Sequence, residues 1–488
     1  MAEQQTPPIS PIAPVAPVDV LVIGAGPAGA TAAIKAADTG LSVVLADEQK
    51  AAGGQVWRAK STAILSAPST PESRAGDDLR HRLSASAATC LFDHRVWQIQ
   101  PLDQGWMVAL TGPEGPRVIT ARTVILATGA QERIFPVPGW TLPGVIGLAA
   151  ATALMKGQMI LPGQRVGVAG AGPLLPFVAH EILRQGGEVA FVADLNGLAD
   201  WTKLTPQMLR RPGLALRGAG WLARLRAAGI PLLYRHGVRR ITGDGRVEQV
   251  EIGPVDDRWK PVDNQQTRSF RVDAVCLGHG LAPATEATRM LNCRHDHDPA
   301  LGGWHVATDD LGRTSIAGLY ACGDGAGILG AAAAPVRGRN AAKAVLADLA
   351  DKSGAGQTSP ASNLRSVSAF GRAMTSLTIP RDGILDQITP ETIVCRCEGL
   401  TRGDVEAGIT AGGVSPNALK SDTRCGMGPC GGRFCQETAA MLTARLTGRP
   451  VEEIGLPTAR PPLRPLPIEA VASDFDYDEL PIPAPAPL

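Results

Sequence analysis

Residues 19–55, DVLVIGAGPAGATAAIKAADTGLSVVLADEQKAAGGQ, constrain the fold more than any other stretch. Residues 20–23 are a short apolar run rich in β-branched side chains, which predicts a buried parallel strand. Gly24, Ala25, Gly26, Pro27, Ala28 and Gly29 follow without a break. Residues 30–39 then read as a helix stopped by Gly40, and 42–46 as a second buried strand closed by Asp47 and Glu48. A G-x-G-x-x-G between strand and helix, with an acid about 20 residues on, is a dinucleotide-binding unit. Gly24 makes the turn, Gly26 lets the backbone approach a pyrophosphate, and Gly29 lets the helix pack on the strand. The helix N-terminus offers unpaired N–H groups and a positive dipole end to phosphates. Asp47 stands where a carboxylate takes ribose hydroxyls. The bland alternative, a glycine turn with no ligand, accounts for the loop but not for this acid. Gly53 and Gly54, just before Gln55, let the backbone pass close to a flat ligand.

At 488 residues the chain has room for roughly three domains. A net charge of +1 implies neither a nucleic acid nor an acidic surface as partner. The opening MAEQQTPPISPIAPVAP has no basic region and no apolar core, so it does not read as a signal peptide. The longest apolar run, 141–160, contains Pro143 and Lys156 and reads as an Ala-rich buried helix rather than an integral membrane segment.

A second strand–turn–helix unit, RVGVAGAGPLLPFVAHEILRQGGEVAFVAD, begins at Arg165. Gly170 and Gly172 fill the first two fingerprint positions, Leu175 breaks the third, and Asp194 ends the second strand. The acid favours a free ribose, so the unit predicts a site for NAD or another adenine nucleotide such as ATP, not NADP. The competing reading is a Rossmann unit that keeps its shape without a ligand. Elsewhere, 94–99, 106–110, 117–121, 123–127 and 274–277 read as strands, 204–226 as helix-like, and a helix starts near 329–335 and runs to Leu349. His279 has no visible partner and reads as structural or ligand-flanking, and Cys322 as a small core residue.

Five of the nine cysteines fall between Cys395 and Cys435. Without an export signal they argue against a disulfide framework. Thr401 with Asp404, and Ser415 with Pro416, predict two capped short helices between the cysteine pairs. Thiolates in this number suit iron–sulfur or zinc, and C-x-C is atypical of zinc knuckles.

Three separated pieces, the Gly24 loop with Asp47, Thr128-Gly129 after a strand, and Gly323-Asp324, resemble the two-dinucleotide-binding-domain flavoproteins of the glutathione and thioredoxin reductase type. That resemblance implies an α/β fold with FAD held by Gly24, Gly26, Pro27, Ala28, Gly29, Asp47, Glu48, Gly54, Gln55, Val96, Thr128, Gly129, Gly323 and Asp324. A redox C-x-x-C is missing from 19–345, which disfavours disulfide reduction. Cys395-x-Cys397 with Cys425-x₄-Cys430 resembles the small helical domain of bacterioferritin-associated ferredoxin (BFD), implying a [2Fe–2S] cluster on Cys395, Cys397, Cys425 and Cys430. The family's last pair is often C-x-x-C, which leaves the fourth ligand between Cys430 and Cys435. Cys430 is preferred because Cys435 is expected a full turn into the next helix.

The combination, with PGWTLPGV at 138–145 and GMGPC at 426–430, looks like the FAD-containing member of multi-subunit amine dehydrogenases: the A subunit of opine oxidase, proline and D-hydroxyproline dehydrogenase subunits, the B subunit of hydrogen cyanide synthase and the sarcosine oxidase α chain. It implies an electron-transfer subunit partnered by a second flavoprotein (β) subunit that oxidises the amine, with a small third component as a further expectation. The expected location is cytoplasmic, peripheral to the inner membrane at most. The alternative is a self-sufficient NADH-dependent FAD/[2Fe–2S] reductase. A ligand-sensing scaffold is a third, non-enzymatic reading. The expected organisation is a Pro-rich arm (1–18), an FAD domain (19–135 and 273–350), an inserted NAD-like domain (136–272), a linker (351–388), a BFD-like domain (389–448) and a Pro-rich tail (449–488).

Overall fold

The computed structural model describes residues 17–64, 66, 68–262, 265–350, 359 and 364–470. Most of the N-terminal arm, the first part of the expected linker and the end of the tail lie outside the described residues. Two parallel-centred sheets dominate the rest. In the first, Val18–Ile23 lies between Val43–Asp47 and Gly115–Leu126, parallel to both. Gly115–Leu126 merges two strands expected separately. One of its edges carries Trp106–Gly112, antiparallel, and then Leu319–Ala321, parallel.

The glycine loop feeds helix Pro27–Ala37, which packs on helix Ala334–Ala350. Their contact is made of alanines: Ala30, Ala33, Ala341, Ala342 and Ala344 share one buried cluster. A Cβ on Gly338 would lie 2.1 Å from the carbonyl oxygen of Ala28, so only glycine permits this crossing. Sequence positions 28 and 338 are thus pressed together, which brings the Gly323-Asp324 strand end beside the first glycine loop.

The second sheet runs Leu232–Tyr234, Glu188–Asp194, Arg165–Gly170, Ala274–Gly278, Val145–Gly147, all parallel. Ala274–Gly278 therefore belongs to the second sheet, not to the first as the expected boundary at 272/273 had it. The apolar run 141–160 resolves into strand Val145–Gly147 and helix Leu148–Gln158. Among the described residues no helix is long and apolar enough to cross a membrane. The helix-like stretch 204–226 is interrupted before Pro212, giving Thr205–Leu209 and Pro212–Ala227, and a separate short helix, Leu198–Thr202, precedes it.

Parts of the expected linker and of the expected tail pack on the rest of the chain. Within the expected linker, Leu364–Ser376 is a helix, and Ile384, Leu385 and Ile388 are buried in one cluster with Cys395, Cys425 and Cys435. In the expected tail, Leu463 donates its N–H to the Trp97 carbonyl at 2.9 Å. Each segment is held by contacts far away in sequence. Both predicted caps are present: Thr401 and Asp404 form a reciprocal box, and Ser415 Oγ accepts from Ala418 N–H at 3.2 Å.

Candidate functional site

A cavity of about 500 Å³ opens at the end of the first sheet. Its walls include Gly24, Gly26, Pro27, Ala28, Asp47, Glu48, Gly54, Gln55, Val96, Thr128, Gly129, Gly323 and Asp324, drawn from separate stretches of the chain. Among the residues expected at this site, Gly29 alone is not in the lining. Its place is structural: a Cβ there would lie 1.8 Å from the Gly24 carbonyl oxygen. Gly24, at φ +104°, is likewise fixed by the chain, since a Cβ would meet Ala127 O at 2.3 Å. Gly26 differs. Its nearest neighbour to an added Cβ is Gly54 Cα at 3.9 Å. Nothing in the chain itself demands glycine there, and the free space faces the cavity. A backbone kept bare toward a cavity, at the N-terminus of an eleven-residue helix, fits a pyrophosphate.

The surrounding loops are held rigidly. Asp47 accepts the N–H groups of Ala25 and Gln49, so its carboxylate fixes the glycine turn as well as lining the cavity. Burial pushes its pKa up. Glu48 beside it faces Arg464 at 3.6 Å and Arg95 at 3.9 Å. Asp324 Oδ1 accepts from Leu329 and Gly330 N–H at 3.0 and 2.9 Å. Arg337 closes the same turn from behind by donating to the carbonyls of Gly323, Ala326 and Gly327. Thr128 Oγ1 donates to Ala284 O at 2.9 Å, tying the crossover strand end to the segment before helix Glu286–Met290.

Several lining residues escaped the sequence reading. Glu132 accepts Ala149 N–H at 2.7 Å and caps helix Leu148–Gln158, and burial pushes its carboxyl up to about 7. Lys156, two turns along, is held by the Val56 carbonyl at 3.1 Å and lies 5.0 Å over the Phe177 ring. Burial lowers its pKa. Glu286, Arg433, Leu463 and Arg464 complete the wall. No local motif marks any of them. The cavity lining has no cysteine among the described residues. Cys322 is buried in the first core, and its thiol is pushed up to about 12 by burial.

The second glycine loop is a different case. A Cβ on Gly170 would meet Gly278 O at 1.7 Å, so that glycine serves strand pairing. The space beside Gly172 is filled: Thr378 Cγ2 lies 2.4 Å from where a Cβ would stand, and the Thr378 side chain also fills the space beside Gly280. Asp194 is 5% exposed and accepts from Asn196 N, Asn196 Nδ2 and Trp201 Nε1. Burial pushes its carboxyl up to about 7. Asn196 Nδ2 in turn donates to Leu377 O at 2.9 Å. Around the loop expected to take NAD or ATP on Gly170, Gly172 and Asp194, the chain's own Thr378 thus packs beside Gly172, and Asp194 is engaged by Asn196 and Trp201. His279 is 2% exposed, and its Nδ1 accepts Phe135 N–H at 3.1 Å, so it is neutral and structural. Burial first, then Arg133, lower it to about 3.

The five C-terminal cysteines gather on one side of the small domain. The Sγ atoms of Cys395, Cys425 and Cys435 lie within 4.8 Å of one another. Cys397 and Cys430 are hydrogen-bonded neighbours. Hydrogen bonds from Cys425 and Cys435 lower the Cys395 thiol to about 2, while Cys395 raises both partners, Cys425 to about 12. A Cβ on Gly428 would lie 2.2 Å from Cys397 Cβ, so glycine is needed for the loop to fold over. Cys435 is the N-cap of helix Gln436–Thr447, not a turn inside it, so the helix geometry does not exclude it from the centre. A set of soft, clustered thiols on loops fits a metal centre.

Residues 18–346 match the family described as pyridine nucleotide-disulphide oxidoreductase, and 389–474 match the sarcosine oxidase A3 domain. The chain belongs to the pyridine nucleotide-disulphide oxidoreductase family. It is thus an enzyme of a flavin-dependent oxidoreductase family with an A3-type C-terminal domain. The A subunit of opine oxidase from Rhizobium meliloti (strain 1021) is 33% identical, covering 93% of this chain and 98% of the relative. Hydrogen cyanide synthase subunit HcnB of Pseudomonas aeruginosa is 32% identical over 92% of this chain and 97% of its own. L-proline dehydrogenase from P. horikoshii shares the fold, with a TM-score of 0.67 at 21% identity over 94% of this chain and 80% of that one.

Proposed function

We propose that this member of the pyridine nucleotide-disulphide oxidoreductase family is the FAD- and [2Fe–2S]-containing electron-transfer subunit of a heteromeric dehydrogenase or oxidase acting on C–N bonds of amino acids or opines. FAD lies on Gly24, Gly26, Pro27, Ala28, Asp47, Glu48, Gly54, Gln55, Val96, Thr128, Gly129, Gly323 and Asp324. The cluster would be held by Cys395, Cys397, Cys425 and Cys430. Bound in these places, the two groups supply two-electron and one-electron redox chemistry respectively. One observation carries the reading: the cysteine loop abuts the cavity wall, because Arg433 lines the cavity and donates to the Cys430 carbonyl at 2.9 Å. A redox pair set side by side, in a chain whose similar relatives are named as subunits, suits relay to a partner. That partner is a second flavoprotein subunit carrying the amine site, with a small third subunit in some assemblies, and the complex is cytoplasmic or peripheral to the inner membrane. Thr378 in the second glycine loop speaks against hydride entry from NADH there.

The test is anaerobic purification of the chain alone and with the flavoprotein encoded beside it. The chain alone is expected to contain FAD and iron, to give a [2Fe–2S] EPR signal on dithionite reduction, and to remain oxidised with NADH. Reduction by an amine is expected only with the partner present. Stoichiometric zinc without iron, or rapid bleaching by NADH alone, would overturn the proposal.

A further inference from the structure

Arg433 belongs to the cysteine loop and also lines the cavity. Arg433 Nε donates to Glu286 Oε1 at 2.8 Å, Nη1 to Cys430 O at 2.9 Å and Nη2 to Leu463 O at 3.4 Å. Arg433, Glu286 and Leu463 all line the cavity. The rigid fork of a single arginine thus joins three parts of the chain: the cysteine loop, helix Glu286–Met290 and the segment at Leu463. A second arginine repeats the pattern from the helix side. Arg289 donates to Gln436 Oε1 at 3.2 Å, one residue after Cys435, and to Pro457 O. The Glu286 side chain is 12% exposed and that of Arg433 22%, so this pair is largely desolvated and intolerant of displacement.

We propose that Arg433 is a positioning residue that couples occupancy of the cavity to closure of the cysteine loop. A dinucleotide filling this end of the cavity meets the guanidinium directly. The guanidinium cannot shift without drawing on the Cys430 carbonyl, and so on the backbone that presents Cys430. Metal closing the cysteine loop fixes the same carbonyl and presents Arg433 and Glu286 to the cavity in one arrangement. Linkage requires the effect to be reciprocal: metal tightens dinucleotide binding by the factor with which dinucleotide tightens metal binding. The inference rests on the proposed function in taking FAD and a metal as the two ligands.

The experiment titrates FAD into deflavinated protein, with the iron–sulfur centre intact and after its removal by chelation. The full chain is expected to bind FAD about tenfold more tightly with the centre intact, inside the usual range of coupling between sites. Arg433→Gln is expected to bind FAD equally in both states. Arg445→Gln, which breaks an exposed pair with Asp386 in the same small domain, is expected to keep the difference. A second readout is the EPR spectrum of the reduced centre, which should change on FAD addition in the parent and not in Arg433→Gln. Glu286→Gln keeps an acceptor but loses the charge. It should reduce the difference to threefold or less, and it stands in if Arg433→Gln does not fold. Equal FAD affinities in the parent, or an undiminished difference in Arg433→Gln or Glu286→Gln, would overturn the coupling alone. A parent that takes neither FAD nor iron would overturn the proposed function, and the coupling with it.

Discussion

Replacing Gly26 by leucine separates ligand binding from folding. In the unliganded chain, a Cβ at this position has Gly54 Cα at 3.9 Å as its nearest neighbour, an ordinary contact distance, and the backbone at φ −64° suits any L residue. The unliganded variant should therefore melt within roughly 4 °C of the parent, as for a surface change costing well under 1 kcal/mol. FAD binding should suffer badly. The leucine side chain occupies the approach to the helix N-terminus and removes two or so hydrogen bonds to phosphate oxygens. At about 1.5–3 kcal/mol each for bonds to a charged group, the loss is about 3–6 kcal/mol, or roughly 10²–10⁴-fold in affinity. Flavin fluorescence titration of deflavinated protein, beside circular dichroism of the same samples, measures both effects. Gly29→Ala provides the contrast: its Cβ would stand 1.8 Å from Gly24 O, so it should fail to fold rather than fail to bind. A Gly26→Leu protein that binds FAD within threefold of the parent would refute the placement of the pyrophosphate.

Cys430→Ser should lose the iron–sulfur absorbance and loosen residues 389–446 to protease, because ligation closes the small domain. Cys435→Ser should retain more than half the iron, and iron analysis showing the reverse would move the fourth ligand to Cys435. Because Thr378 fills the loop at Gly172, calorimetry should detect no NAD binding by the parent, and a dissociation constant below about 100 μM (about −5.5 kcal/mol) would contradict the occlusion. Glu132 titrates at about 7 when folded against its ordinary 4.5, so folding favours its protonated form. Its contribution is present below about 4.5 and lost as pH rises through 7, up to about 3 kcal/mol in all. Denaturant titrations should show that Glu132→Gln loses less stability than the parent, or gains more, between pH 5 and pH 8, and an identical pH dependence would refute the assignment. Arg133 is 4% exposed, pairs with Glu437 at 2.8 Å and donates to the carbonyls of Thr378 and Gly302. Arg133→Met should cost about 3–5 kcal/mol and let the small domain detach, visible as early cleavage by protease.

The first nucleotide unit is legible in the sequence because its requirements are local: strand, turn, helix and acid fall within forty residues or so and each follows from a short-range rule. The second unit has the same local look, but Thr378, some two hundred residues away, packs beside its Gly172, and no spacing rule reaches that far. Arg433, Glu286 and Leu463 are invisible for the same reason, since each is an ordinary residue until the fold places it on the cavity wall. Cys435 reads as internal to a helix, but Gly431 and Gly432, both at positive φ, delay the helix start to Gln436. The segment around Ile384 and Leu385 reads as linker because a single 3₁₀ turn has no amphipathic period to detect.

The segment that carries Leu463 and Arg464 onto the cavity wall also sets a schedule for biosynthesis. Gly26 leaves the ribosome early, yet the last pieces of its cavity are encoded roughly 440 residues later. At about 5–20 residues per second, some 20–90 s separate the first wall from the last. Through that interval the glycine loop stands beside an unfinished, water-filled cleft. A nascent chain has no enclosed place to retain a dinucleotide, and any message that stops before codon 463 yields a protein with an open-sided cavity. Stable loading is thereby reserved for chains that extend past Arg464.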